Sequence, residues 1–155
     1  MKLQYRYVLL FLFLNFGGLA FGNFLMNNGP QTAWYLSLNK APWTPPGWVF
    51  GAAWTLIMIC FSIYLAKQFV STKQLTFISI IFILEFILNV SWNYFFFNQH
   101  WVLMGLIGIL LLTSLIFYYF FGLSKGLGNA KFLLLPYMIW LCIATSLNLY
   151  VLIHN

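Results

Sequence analysis

The sequence predicts an all-α protein, an integral membrane bundle of five transmembrane helices with one long loop after the first. Three observations carry this. Of the 155 residues, 63% are hydrophobic and 5% charged, whereas a soluble domain holds roughly 25% charged residues. The apolar residues fall into five runs, each about the 20 residues that one crossing needs. The basic residues stand singly at the ends of those runs. With so little polar surface, the solvent this chain suits is lipid. No internal repeat, linker or shift of composition divides it, so residues 1–155 read as a single transmembrane domain.

The first span, about 7–26, follows Lys2 and Arg6. A basic start, an apolar middle and Ala20-Phe21-Gly22 also fit a cleaved signal peptide, but the run is long enough to span. Asn27-Asn28-Gly29-Pro30 ends it. The stretch from Asn27 to Pro46 is long for a helix connection, where about 2–8 residues is usual. Within it, Pro30 to Leu38 is expected as a short helix with proline in its first turn. Thr44-Pro45-Pro46 reads as the cap and first turn of the next helix. The second span covers about 47–66 and stops at Lys67. Ser71-Thr72-Lys73 forms a short loop before the third, about 75–97. Asn98-Gln99-His100 is a tight turn into the fourth, about 101–123. A Gly/Lys loop, Ser124 to Lys131, precedes the fifth, about 132–153.

Five spans alternate sides. Lys2, Arg6, Lys67, Lys73, Lys125 and Lys131 then share the side of the N-terminus, and Lys40 alone is opposite. Cytoplasmic loops carry the excess of Lys and Arg. The N-terminus is therefore expected in the cytoplasm, with the first loop and the C-terminus outside. A four-span chain with the first run removed keeps the same loop sides.

The net charge of +6 is spread thinly, with no basic stripe, so nucleic acid is not an expected partner. Cys60 and Cys142 lie inside apolar runs and form no metal-spaced cluster; no metal site is expected. His100 and His154 read as interfacial histidines rather than haem ligands. With one acid in the chain, acid–base catalysis has little to work with.

Polar residues inside the spans are the informative ones, because an unpaired polar group in hydrocarbon is costly. Glu85, Asn89 and Trp92 share one face of the third span. Pro136, Trp140, Ala144 and Asn148 share a face of the fifth, and Trp54 lies about two turns into the second. Convergence of these faces would make an apolar, aromatic-walled pocket with a few polar groups. Two readings of Glu85 stay open: an ionisable functional residue, or a protonated structural carboxyl bonded to a neighbouring helix. Asn89 and Asn148 read equally well as interhelical glue. Four of the seven tryptophans, Trp34, Trp43, Trp48 and Trp54, fall within 21 residues. An interfacial belt explains Trp43, Trp48 and Trp101 better than it explains Trp54 and Trp140. Gly18/Gly22, Gly47/Gly51 and Gly105/Gly108 place small residues where helices can approach, within the bundle or across a homodimer.

The run Trp34-Tyr35-Leu36-Ser37-Leu38-Asn39-Lys40-Ala41-Pro42-Trp43-Thr44-Pro45-Pro46 resembles the signature of the translocator protein family, also called tryptophan-rich sensory proteins or peripheral-type benzodiazepine receptors. Phe50 and Trp54 match its next motif. Leu88, Asn89 and Trp92 match that of the third helix. Pro136, Tyr137, Trp140, Ala144, Leu147 and Asn148 match those of the fifth. The resemblance, which runs from about residue 34 to 148, implies five packed helices, a retained first span, and a first loop (Trp34, Lys40, Pro42, Trp43, Pro45, Pro46) folded as a lid over a central pocket. It also implies porphyrins such as protoporphyrin and haem, or drug-like aromatic molecules, as ligands rather than required cofactors. The pocket residues it implies are Tyr35, Trp54, Asn89, Trp92, Trp140, Ala144 and Leu147, to which the buried position adds Glu85. A role in tetrapyrrole sensing, trafficking or disposal follows, in a bacterial plasma membrane. The alternatives are light-dependent porphyrin oxidation, with Trp54 and Trp140 as its catalytic residues, and transport of a sterol or other small molecule.

Three departures matter. Lys40-Ala41-Pro42 displaces the family's Lys-Pro by one residue. Glu85 stands where glutamine is frequent, so its protonation would couple binding to pH. Tyr150 lacks the following Lys or Arg of the sterol motif, and the reversed pattern at Lys131, Tyr137 and Leu141 is weak, which argues against sterol.

Overall fold

The computed structural model describes residues 2–155, all helix and connecting turn. The first helix, α1, runs Lys2–Leu25. A short α2, Ala33–Ser37, lies in the first loop. The remaining long helices are α3, Gly47–Ser71, α4, Leu75–Asn93, α5, Val102–Tyr118, and α6, Leu135–His154. At 1.5 Å per residue, the 24 residues of α1 and 25 of α3 exceed the ~30 Å hydrocarbon core. Among the described residues, five helices are long and apolar enough to cross a membrane.

Several helix ends differ from the sequence reading, each for a local reason. The Pro30–Leu38 segment is two pieces, a 3₁₀ turn Gly29–Gln31 and then α2, parted at Thr32, whose backbone is extended (ψ 149°). Thr32 Oγ1 donates to the Gly29 carbonyl (2.7 Å) and accepts from the Tyr35 N–H (3.3 Å), capping α2. Thr44 does not cap α3. Its hydroxyl turns back to the Ala41 carbonyl (2.7 Å), and an extended Pro46 precedes Gly47. A residue before proline is held out of the helical region, so Thr44 and Pro45 cannot begin a helix. The fifth span likewise opens with a 3₁₀ segment, Gly128–Leu134, because Pro136 cannot donate to the residue 132 carbonyl and its ring would strike it. Finally, α4 and α5 continue as single π turns, Tyr94–Asn98 and Tyr119–Leu123, which bring the sequence-predicted ends at 97 and 123 close to the observed ones.

Neighbours in space run α1–α3–α6–α5–α4 and back to α1, a closed ring around a filled centre. Phe61, Tyr64 and Leu65 of α3, Ile116 of α5 and Leu141 of α6 are fully buried there. Leu9, Phe13, Ile83, Ile87, Leu111 and Ile139 are exposed on the outer surface, as lipid-facing residues should be. Lipid tails are as apolar as leucine, so close packing and interhelical hydrogen bonds must hold such a ring together. Asn15 Nδ2 donates to Ser62 Oγ (2.9 Å), tying α1 to α3. Gly18 and Gly22 let α1 approach α4: a Cβ on Gly18 would lie 2.6 Å from the Phe86 ring, and one on Gly22 2.7 Å from Asn93 Nδ2. Gly47, Gly51 and Gly108 have open space at the same position.

Candidate functional site

The first loop lies across the end of the ring where α3 and α5 begin, and named contacts hold it there. Trp34 stacks on His100 (centroids 4.0 Å, 14° between planes) and meets the Phe96 ring edge-on. Tyr35 tilts against Phe97. Lys40 Nζ donates to the Tyr35 carbonyl (2.9 Å) and lies 4.7 Å from the Tyr35 ring centre. Trp43 Nε1 donates to Ser146 Oγ of α6 (3.1 Å), and its ring meets Tyr150. Asn155 brackets the loop backbone, its Oδ1 accepting from the Asn39 N–H (2.8 Å) and its Nδ2 donating to the Asn39 carbonyl (3.2 Å). After Lys40 the buried position is filled by Ala41, while Pro42 is exposed. Pro45 and Pro46 lead into α3. Burial pushes the Tyr35 phenol above its usual value of 10.

Beneath the loop is a cavity of about 50 Å³. Tyr35, Lys40 and Thr44 roof it; Phe50, Trp92, Phe96 and Phe97 form aromatic walls. Ala144, Leu147 and Asn148 of α6 close the remaining side. Ligand pockets run to roughly 300–1,000 Å³, so with the loop down this space is far too small for a drug-sized aromatic ligand.

A second tier lies one layer deeper. Trp140 is buried and meets Phe50 edge-on (5.1 Å). Trp54 meets Tyr137 edge-on (5.8 Å). The Tyr137 hydroxyl donates to Glu85 Oε1 (2.6 Å) and accepts from Asn89 Nδ2 (2.8 Å), so α4 and α6 are joined through the centre. Nearer the cavity, Trp92 Nε1 donates to Asn148 Oδ1 (3.3 Å), and Asn148 Nδ2 donates to the Val102 carbonyl.

The residues named from sequence thus divide. Tyr35, Trp92, Ala144 and Leu147 reach the cavity together. Trp54, Glu85, Asn89 and Trp140 do not line it: Trp140 meets the lining residue Phe50, while Trp54, Glu85 and Asn89 converge on Tyr137. Sequence reasoning passed over Tyr137 as a site residue, although it lies 4, 7 and 11 residues before Leu141, Ala144 and Asn148, a helical spacing that puts all four on one face. It also passed over Phe96 and Phe97, which only the π turn of α4 aims at the cavity.

Comparison with known proteins gives this geometry its context. The TspO/MBR family matches residues 9–154. The chain belongs to that family. The Tryptophan-rich protein TspO of Chlorobaculum tepidum is 30% identical over 129 residues, 81% of this chain and 82% of that one. The Tryptophan-rich protein TspO of Archaeoglobus fulgidus is 33% identical over 141 residues, 86% and 87% of the two chains. Protein CrtK of Rhodobacter capsulatus is 32% identical over 121 residues, 75% and 74%. As a member of the TspO/MBR family with five apolar helices of spanning length, the chain is an integral membrane protein.

Proposed function

We propose that this protein binds a porphyrin, or a comparable flat aromatic molecule, beneath the first loop, and acts in tetrapyrrole sensing, trafficking or disposal. The observation that carries the reading is the aromatic cavity under the loop, backed by the tier of Trp54, Trp140 and Tyr137. Flat rings stack on such walls at little polar cost. Lys40, the one charged residue in the lining, is placed to meet a carboxylate at the edge of the ligand. Entry requires the loop to lift and Phe50 to turn, which would merge the cavity with the Trp140 tier. No cofactor is needed for this role, and the surrounding partner is bilayer lipid.

Titration of detergent-purified protein with protoporphyrin in the dark, read by tryptophan fluorescence, tests it. Saturable quenching is expected, and Trp140→Ala should weaken the affinity by about tenfold or more, the loss of one large buried aromatic contact. Unchanged affinity in Trp140→Ala would remove that residue from the site, and no saturation in the wild type would remove porphyrin as the ligand.

One contact favours a second reading, light-dependent porphyrin oxidation. Trp54 abuts Tyr137, whose hydroxyl donates to the Glu85 carboxyl group, beside the space where a light-excited porphyrin would be oxidised by dioxygen, the dioxygen being reduced. A product that forms on illumination, is lost in Trp54→Phe and is absent with heat-denatured protein would support it. Equal bleaching with denatured protein would dismiss it. For orientation, the lysine-rich end belongs to the cytoplasm and the loop end to the outside of a plasma membrane.

A further inference from the structure

The centre of the ring holds more ionisable groups than the proposed pocket uses. Glu85, Tyr137, Tyr119 and Tyr64 are each at most 1% exposed. Phe61 gathers the three tyrosines. Its ring meets Tyr119 and Tyr137 edge-on (5.7 and 5.4 Å) and stacks with Tyr64 (6.3 Å). Tyr119 in turn meets Tyr64 edge-on (5.9 Å) and lies within electrostatic reach of Glu85, Tyr137 and Tyr64. The first helix brings no ionisable side chain to this layer, having none after Tyr7, and Glu85 is the only one on α4.

Two polar atoms of the cluster have no partner among the described residues. Glu85 Oε1 accepts from the Tyr137 hydroxyl (2.6 Å) and from Asn89 Nδ2 (3.5 Å), whereas Oε2 has no hydrogen bond. The Tyr119 hydroxyl is buried and also has none. A proton held by Glu85 therefore belongs on Oε2, and Tyr119 is the hydroxyl left to exchange it.

From Tyr119 the hydroxyls continue toward the lysine-rich end. The Tyr64 hydroxyl lies 2.9 Å from Ser124 Oγ. Both reach the Tyr119 carbonyl, at 3.3 and 2.7 Å. Ser124 sits between Leu123 and Lys125, which line an open groove of about 330 Å³ where water arrives. Toward the first loop, Glu85 is followed by Asn89, Trp92 and Asn148, two amides and an indole. A hydroxyl is donor and acceptor at one atom, so it can take up one proton while releasing another; an amide or indole nitrogen only donates.

We propose that Glu85 is a proton-binding site served from the lysine-rich end, with Tyr119, Tyr64 and Ser124 as its relay. Acids within spans serve such relays in other membrane proteins. A hydronium ion in the groove gives a proton to Ser124 as Ser124 hands its own to Tyr64; Tyr64 passes one to Tyr119, and Tyr119 passes one to Glu85 Oε2. Hydronium and carboxylate become water and carboxylic acid, each hydroxyl regains its hydrogen, and no electron moves. A swing of the Tyr119 ring, or one water at its hydroxyl, closes the contact on either side. The charge beside Tyr137 then follows the pH at the end opposite the loop.

Infrared spectroscopy of the purified protein after a pH jump makes the test. The wild type should show a titrating carboxylic-acid band that is missing in Glu85→Gln. Tyr119→Phe should titrate to the same extent and melt no lower, but exchange about a hundredfold more slowly, the scale on which a positioned proton-transfer group acts. Tyr64→Phe should slow exchange likewise, and Tyr150→Phe, the same change at the loop end, should not. In vesicles holding the protein in one orientation, acid at the lysine-rich end alone should protonate Glu85 promptly, and acid at the loop end alone should not. The proposal is overturned by the absence of a titrating band, by an unchanged rate in Tyr119→Phe even with a shifted midpoint, by equal slowing in Tyr150→Phe, or by prompt protonation from the loop end.

Discussion

Tyr119 and Tyr137 are both buried in the centre of the ring, and they differ in what their hydroxyls do. Tyr137 joins Glu85 to Asn89. The Tyr119 hydroxyl is buried without a partner among the described residues. Removing the first leaves two polar side chains in the apolar interior short of a hydrogen bond; removing the second deletes an unmet group. Tyr137→Phe should therefore destabilise the protein by about 0.6–2 kcal/mol, while Tyr119→Phe should be neutral or stabilising. Unfolding by SDS titration compares them, and equal losses would mean that the Glu85–Tyr137–Asn89 bonds contribute nothing. The sequence already marked Glu85 and Asn89, because polar residues inside an apolar run must find partners. It did not mark Tyr137 as their partner, since a bond between residues 52 apart depends on how α4 and α6 are rotated.

At the scale of the helices, α1 and α4 are held close by two residues that lack side chains. Gly18→Val should push Phe86 aside and part the two helices, lowering the melting temperature by several degrees through overpacking of about 1–3 kcal/mol. Gly108→Ala, with open space around it, should melt as the wild type does. Matching melts for the two variants would place the α1–α4 approach elsewhere. The spacing of Gly18 and Gly22 was visible in the sequence as a close-approach motif, but which helix it met was not. The five long helices were legible because each apolar run is bounded by charges, prolines, glycines or, at Asn98-Gln99-His100, a short polar turn. Their ends were less so. Thr44 has the right chemistry for a cap, yet the two prolines after it forbid the backbone that a cap requires. The π turns at Tyr94–Asn98 and Tyr119–Leu123 leave no mark in hydrophobic patterning, although the first of them shapes the cavity.

Across the whole molecule, charge and closure are arranged at opposite ends. Six of the seven Lys and Arg residues belong to one end, so a reporter fused after Asn155 should behave as extracytoplasmic, with active alkaline phosphatase and dark green fluorescent protein. The reverse pattern would invert the orientation proposed above. The loop end was legible from sequence as a signature without a geometry. Trp34, Lys40 and Trp43 were marked, whereas the pairing of Asn39 with Asn155, 116 residues apart, arises only once α6 stands beside the loop. That pairing makes the proposed entry route directly testable. In a chain with Cys60 and Cys142 replaced by serine, Asn39→Cys and Asn155→Cys can be joined by a short, reducible bis-thiol linker that ties the loop down. A cavity of about 50 Å³ cannot admit a porphyrin unless the loop lifts. Linked protein should therefore take up no protoporphyrin in a dark fluorescence titration, and cleaving the linker should restore binding. Uptake that proceeds equally with the loop tied down would show that the ligand does not enter beneath it.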